Sequence, residues 1–170
     1  MNILFGVIAL VIIFLVAGMS GVAGAAIPPP ASGMPRRFRL FGVDLGDEAA
    51  TLLETASRHG VDPSFLAALR KTENGGPGRE LGVLSVSAPT LADQYDVAAR
   101  SLANNEKRYT DVTGQSPVGG DGRLTPDFLR FFSARWAPVG ASNDPTNLNS
   151  NHARNLESWY NRISLVAEDA

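Results

Sequence analysis

The amino-acid sequence predicts a mainly α single domain that follows an uncharged N-terminal segment. Three observations lead to this reading. No Lys, Arg, Asp or Glu precedes Arg36, so all 15 basic and 17 acidic residues fall in the rest of the 170-residue chain. That remainder is the size of one ordinary domain and can bury a single core. Its apolar residues recur at the helical period behind recognisable helix starts, and only residues 81–86 have much strand character.

Gly46-Asp47-Glu48 opens a stretch rich in Ala, Leu and Glu that runs to His59 and stops at Gly60. Acid at the start and glycine past the end are helix signals. Asp62-Pro63 starts a second helix, because Asp caps free N–H groups and proline is tolerated in the first turn; it runs to about Glu73 and ends at residues 74–78, Asn-Gly-Gly-Pro-Gly. Thr90 caps a third, in which Leu91, Tyr95, Ala98 and Leu102 share one face. Residues 114–122 form a glycine-rich loop, and Thr125-Pro126 repeats the start signal for a short helix whose Phe128, Leu129 and Phe132 suit a core. A last helix is predicted over residues 151–166, with Ala153, Leu156, Tyr160 and Ile163 on one stripe.

Residues 3–16 (ILFGVIALVIIFLV) are almost continuously apolar, and the uncharged stretch continues through residue 27. A bilayer needs roughly 20 apolar residues, so residues 1–27 read as a transmembrane anchor, held in the membrane through residues 3–27. A cleaved signal peptide is the competing reading, since Ala23-Gly24-Ala25 offers small residues of the cleavage-site kind, but no basic residue precedes the apolar run. Residues 28–44, which open with Pro28-Pro29-Pro30, read as a stiff linker, leaving 45–170 as the domain. Arg36, Arg37 and Arg39 would hold this flank in the cytoplasm by the positive-inside rule. The expected location is a single-helix anchor in a bacterial inner membrane, or in a viral membrane whose outward face derives from the host's cytoplasmic face.

Composition removes several classes of function. A net charge of -2 and a pI near 5.6 disfavour a protein that grips nucleic-acid phosphates. Without cysteine there is no disulfide framework, thiol nucleophile or iron–sulfur cluster. His59 and His152 stand far apart with no ligand pattern near either, so a surface or structural role is expected for both, with no metal and no cofactor. Dinucleotide, phosphate-loop, HExxH and GxSxG motifs are all missing from the sequence.

One residue carries a chemical signal. Leu66, Leu69 and Glu73 sit at i, i+3 and i+7 of the second helix, so the carboxylate prolongs an apolar stripe. A carboxyl group on apolar surface keeps its proton more readily than one in water, as a general acid must. The alternative is a glutamate that simply ends a helix at the surface beside Arg70 or Lys71.

The run from His59 to Val86, HGVDPSFLAALRKTENGGPGRELGVLSV, resembles the opening of a lytic transglycosylase of the soluble, goose-lysozyme-like type. In that family an Ala- and Leu-rich helix ends in the catalytic Glu, and a Gly-Leu-Met-Gln-like segment then lines the cleft. Glu73 matches the catalytic position and residues 82–86 the cleft segment. Asn74 departs from the usual Ser, and Ser85 stands where Gln is common. LADQYDVAARSLANNEKRY is similar to the family's next helix, and FFSARWAPVGASNDPTNLNSNHARNLESWY resembles the closing segment of phage-borne muralytic domains.

The resemblance implies a lysozyme-like domain that cleaves the peptidoglycan glycan strand between N-acetylmuramic acid and N-acetylglucosamine, with Glu73 catalytic, either in a cell or in a virion. Ser85, Tyr95, Trp136, Asn143 and Asp144 are the candidate substrate-binding residues, because amides and hydroxyls bond sugar groups and aromatic faces cover sugar rings. Packing competes for Tyr95, on a core stripe, and for Trp136, which follows two phenylalanines; Asn143 and Asp144 precede Pro145 and suit a turn. Glu80, Asp93 and Asp121 have no spacing that marks a second catalytic carboxylate, which favours a transglycosylase over a hydrolase. The alternative function is a non-catalytic, membrane-anchored structural or wall-binding protein of the same fold.

Overall fold

The computed structural model describes residues 37–83, 87–142, 144 and 146–168. The expected anchor and most of the expected linker lie outside the described residues, among which no helix is long and apolar enough to cross a membrane. The architecture is mainly α. Its helices are α1 (Glu48–His59), α2 (Pro63–Glu73), α3 (Leu91–Thr113), α4 (Pro126–Trp136) and α5 (His152–Arg162). A 3-10 turn at Leu148–Asn151 precedes α5, and strands β1 (Arg37–Phe41) and β2 (Ser164–Glu168) flank the helices in sequence.

The helix starts follow from local chemistry. The Asp62 carboxylate accepts the Ser64 N–H at 2.8 Å, and Thr125 Oγ1 accepts the Phe128 N–H at 3.2 Å, each ahead of a proline in the first turn. Thr90 and Asp93 form a reciprocal capping box on α3. α1 stops at Gly60, whose left-handed backbone (φ 64°) turns its N–H back to the carbonyls of Ala56 and Ser57.

Helix α2 is the centre of the domain, packed by α5, α1 and α3. Every side chain from Pro63 to Leu69 is buried. Phe65 meets Phe132 of α4 edge-on at 4.8 Å and Tyr160 of α5 at 6.5 Å. Burial of each such side chain stabilises the fold by about 1.5–3 kcal/mol.

Two expected boundaries are corrected. Residues 37–41 are not linker: β1 pairs antiparallel with β2, from Arg37 opposite Glu168 to Phe41 opposite Ser164. The last helix ends at Arg162, not at 166. The Arg123 guanidinium stops it by donating to the carbonyls of Tyr160 and Ile163 while lying 4.3 Å over the Tyr160 ring. The alternating Ile163, Leu165 pattern then continues as strand, with Ile163 buried and Leu165 half-buried. The strand expected at 81–86 does not form over residues 81–83, and residues 84–86 lie outside the described ones.

One partly buried acid makes stability depend on pH. Glu106 of α3 borders a recess of about 390 Å³ that it shares with Asp62 and Asp121, and burial, then the charge of Asp62, pushes its carboxyl up to about 7. The folded state therefore holds this proton more tightly than the unfolded chain, whose group titrates near 4.5. The stability it confers is full below about 4.5 and is lost as pH rises to about 7, by roughly 3 kcal/mol. Denaturant midpoints of the wild type should fall between pH 5 and pH 8 relative to those of Glu106→Gln. Parallel pH profiles for the two proteins would contradict this.

Candidate functional site

The site is built where α2 ends. Asn74 closes the helix in the left-handed conformation (φ 46°), which asparagine tolerates better than most residues. The chain then folds back so tightly that a Cβ on Gly75 would lie 1.8 Å from the Arg79 carbonyl oxygen. Two side chains pin this loop. Gln94 of α3 accepts the Leu81 N–H at 2.9 Å and donates to Glu80 Oε2 at 2.8 Å. Arg70 donates to the Glu80 carbonyl at 3.4 Å while its fork grips Glu48 at 2.8 and 3.0 Å. The pinned loop sets Gly82, at φ 67°, against the carboxylate of Glu73: a Cβ there would be 2.4 Å from Oε2.

From the other side, two N–H donors reach Glu73 Oε1. Trp136 Nε1 at the end of α4 donates at 2.7 Å, and His152 Nε2 at the start of α5 lies at 3.0 Å. Phe132, buried one turn before Trp136, stacks on the indole at 5.5 Å. His152 is buried, and its Nδ1 meets Ser133 Oγ of α4 at 2.5 Å. The Glu73 side chain keeps 18% of its surface exposed. It is thus a partly open carboxylate anchored through one oxygen to two other helices. Among the described residues no hydrogen bond reaches Oε2, and no other carboxylate bonds to the Glu73, Trp136, His152 and Ser133 group.

This arrangement both supports and corrects the sequence expectations. Glu73 does end the apolar stripe of Leu66 and Leu69, but hydrogen-bond donors surround its oxygen where apolar surface was expected. Trp136 joins Glu73 directly. Tyr95 does not: it is fully buried, with its hydroxyl 3.3 Å from Glu48 Oε2, so it is a core residue and not a sugar contact. Burial and the Glu48 charge both push its phenol well above the usual range. Asp144 accepts the N–H groups of Leu148 and Asn149 at 2.8 and 3.0 Å, capping the 3-10 turn. Glu80 is taken up by Gly78 and Gln94. Ser85 and Asn143 lie outside the described residues.

His59 has the structural role expected of it, bonding Asp96 at 2.7 Å, and that bond with nearby arginines holds the Asp96 carboxyl below its usual range. His152 is the residue that sequence reasoning missed. The signal was present: His152, Leu156 and Tyr160 stand at i, i+4 and i+8, so the imidazole shares the buried stripe of α5 and must find polar partners there. Among the described residues no three His, Asp or Glu groups converge as a metal site would require. Two recesses open elsewhere, the one beside Glu106 and a groove of about 520 Å³ between α3 and Arg135, and Glu73 borders neither.

No protein-family model, curated protein or solved structure matches this chain.

The close approach of Gly82 yields a test of the geometry alone. Gly82→Ala should leave the helices intact, at a cost of about 1–2 kcal/mol for the left-handed backbone, while pushing the Glu73 carboxylate aside. The Trp136 indole N–H resonance should move towards that of an indole without an acceptor. An unshifted resonance would show that Gly82 does not position the carboxylate.

Proposed function

We propose that this chain is a peptidoglycan-cleaving enzyme of the lytic transglycosylase type, with a lysozyme-like domain and Glu73 as its catalytic acid and base. The observation that carries the reading is the mounting of Glu73: it stands at the end of the most buried helix, held through Oε1 by two N–H donors, with no second carboxylate hydrogen-bonded into the group among the described residues. The resemblance of residues 59–86 to the family's catalytic segment supports it. The structural roles of Asp144 and Glu80 support it further, because each carboxylate already accepts N–H groups of its own loop or of Gln94.

An inverting hydrolase sets a second carboxylate roughly 6.5–9.5 Å from the acid to activate water, and a retaining one sets a nucleophile at roughly 5–5.5 Å. A transglycosylase uses one group twice. Glu73 gives its proton to the glycosidic oxygen, which leaves with the bonding pair from C1 of the muramoyl sugar. The resulting carboxylate then takes the proton of that sugar's own C6 hydroxyl, whose oxygen closes on C1 as a 1,6-anhydro ring. Glu73 is protonated again at the end. Neither metal nor cofactor enters this scheme.

We further propose that residues 3–27 anchor the domain in a membrane, in a bacterium or in a virion that carries it to the wall. The partner in either setting is the glycan strand.

Glu73→Gln keeps the hydrogen-bond acceptor for Trp136 but removes the acid. Release of soluble fragments from purified peptidoglycan should fall by roughly 100-fold or more, with an unchanged melting profile. Fragment release at the wild-type rate would remove Glu73 from the chemistry. A wild-type protein that binds walls but frees nothing would favour the non-catalytic, wall-binding alternative.

A further inference from the structure

We infer that Ser133 and His152 form a buried positioning pair that dedicates one oxygen of Glu73 to structure and leaves the other, Oε2, to carry the reacting proton. Ser133 is 2% exposed, and its hydroxyl has one hydrogen-bond partner among the described residues, His152 Nδ1. Threonines elsewhere in the helices send their hydroxyls back to a carbonyl four residues earlier, as Thr72 and Thr113 do, but Ser133 makes no such bond. If Nδ1 carried a hydrogen, Ser133 would have to accept it, and its own O–H would be buried without an acceptor, a costly state. Ser133 therefore donates to Nδ1, and the imidazole is the neutral tautomer with its hydrogen on Nε2.

That hydrogen points at Glu73. His152 Nε2 donates to Oε1 at 3.0 Å beside the Trp136 donor at 2.7 Å, so the acceptor sites of this oxygen are filled by two N–H groups from α4 and α5. A proton added to Oε1 would meet two hydrogens already aimed at it. Oε2 has no such donors among the described residues and rests over Gly82, where the missing side chain gives it room. The acid's proton then belongs on Oε2, and Oε1 keeps its two hydrogen bonds while the carboxylate gains and loses charge. Ser133 is too deeply buried to meet a substrate, and its hydroxyl faces the nitrogen opposite the carboxylate. The Ser–His–Glu chain is thus not a nucleophile triad; its order runs from the core outwards and ends at the glutamate.

The assignment of Oε2 as the reacting oxygen rests on the acid role proposed for Glu73, whereas the tautomer of His152 does not. The first measurement is therefore independent of turnover: ring ¹⁵N spectra of His152 in the full-length chain near neutral pH. The expected result is a protonated Nε2 and an unprotonated Nδ1 in the wild type, with mixed tautomers in Ser133→Ala. A hydrogen on Nδ1, alone or together with Nε2, overturns the inference.

The second measurement compares two variants on soluble glycan chains. His152→Gln can return an amide N–H to Oε1, and His152→Phe cannot. Loss of that donor should lower kcat by about 10- to 100-fold with little change in KM, and the glutamine variant should recover part of the loss. Equal losses in both, or a loss seen only in KM, would reduce His152 to packing. If the wild type cleaves no glycan, the proposed function fails while the spectra still decide the positioning pair.

Discussion

Two N–H groups converging on one oxygen of Glu73 are the interaction on which the arrangement of the domain depends. Trp136 ends α4, His152 begins α5 and Glu73 ends α2, so one carboxylate oxygen joins three helix termini that are far apart in sequence. Helix ends carry backbone groups with no partner of their own, which makes them hard to bury and suited to site building. Here the core supplies rigidity behind each terminus: Phe65 against Phe132, Phe132 against Trp136, and Tyr160 beneath Phe65. A carboxylate held in this way keeps its orientation without being closed off from solvent.

The loop after α2 is the second half of the same construction. It is held by the buried Leu81 side chain and by polar contacts, through Gln94 on α3 and through Arg70, which also ties Glu48 of α1 to the site's foundation. Two of its glycines are there for contact reasons: Gly75 for the turn against Arg79, and Gly82 for the space over which Glu73 Oε2 lies. Substituting either changes the backbone that the carboxylate faces, so the loop governs the site even though none of its described side chains hydrogen-bonds to Glu73.

How much of this could be read from the sequence depended on whether the determinant was local. Asp62-Pro63, Thr90 and Thr125-Pro126 cap their helices through residues two or three positions away, and these starts stand where they were expected. Glu73 was legible for the same reason, as the end of a stripe begun by Leu66. Pairing of β1 with β2 was not, because it joins opposite ends of the domain and rests on a short alternating pattern that also fits a helix end. Tyr95 and Trp136 show the limit for side chains. Both are aromatic residues on apolar stripes, and only the positions of α1 and α2 decide that one hydroxyl turns inwards to Glu48 while the other ring reaches Glu73. His152 sits at the first turn of α5, where composition says surface and periodicity says core; periodicity prevailed because Ser133 and Glu73 satisfied both ring nitrogens.

We propose that one carboxylate performs both steps of glycan cleavage. Mass spectrometry of the fragments released from intact peptidoglycan by the full-length protein tests it most directly, because the two chemistries differ by one water in the product. Fragments ending in 1,6-anhydro-N-acetylmuramic acid are the expected result. Fragments ending in reducing N-acetylmuramic acid would contradict it, since a second group would then have activated water for attack on C1.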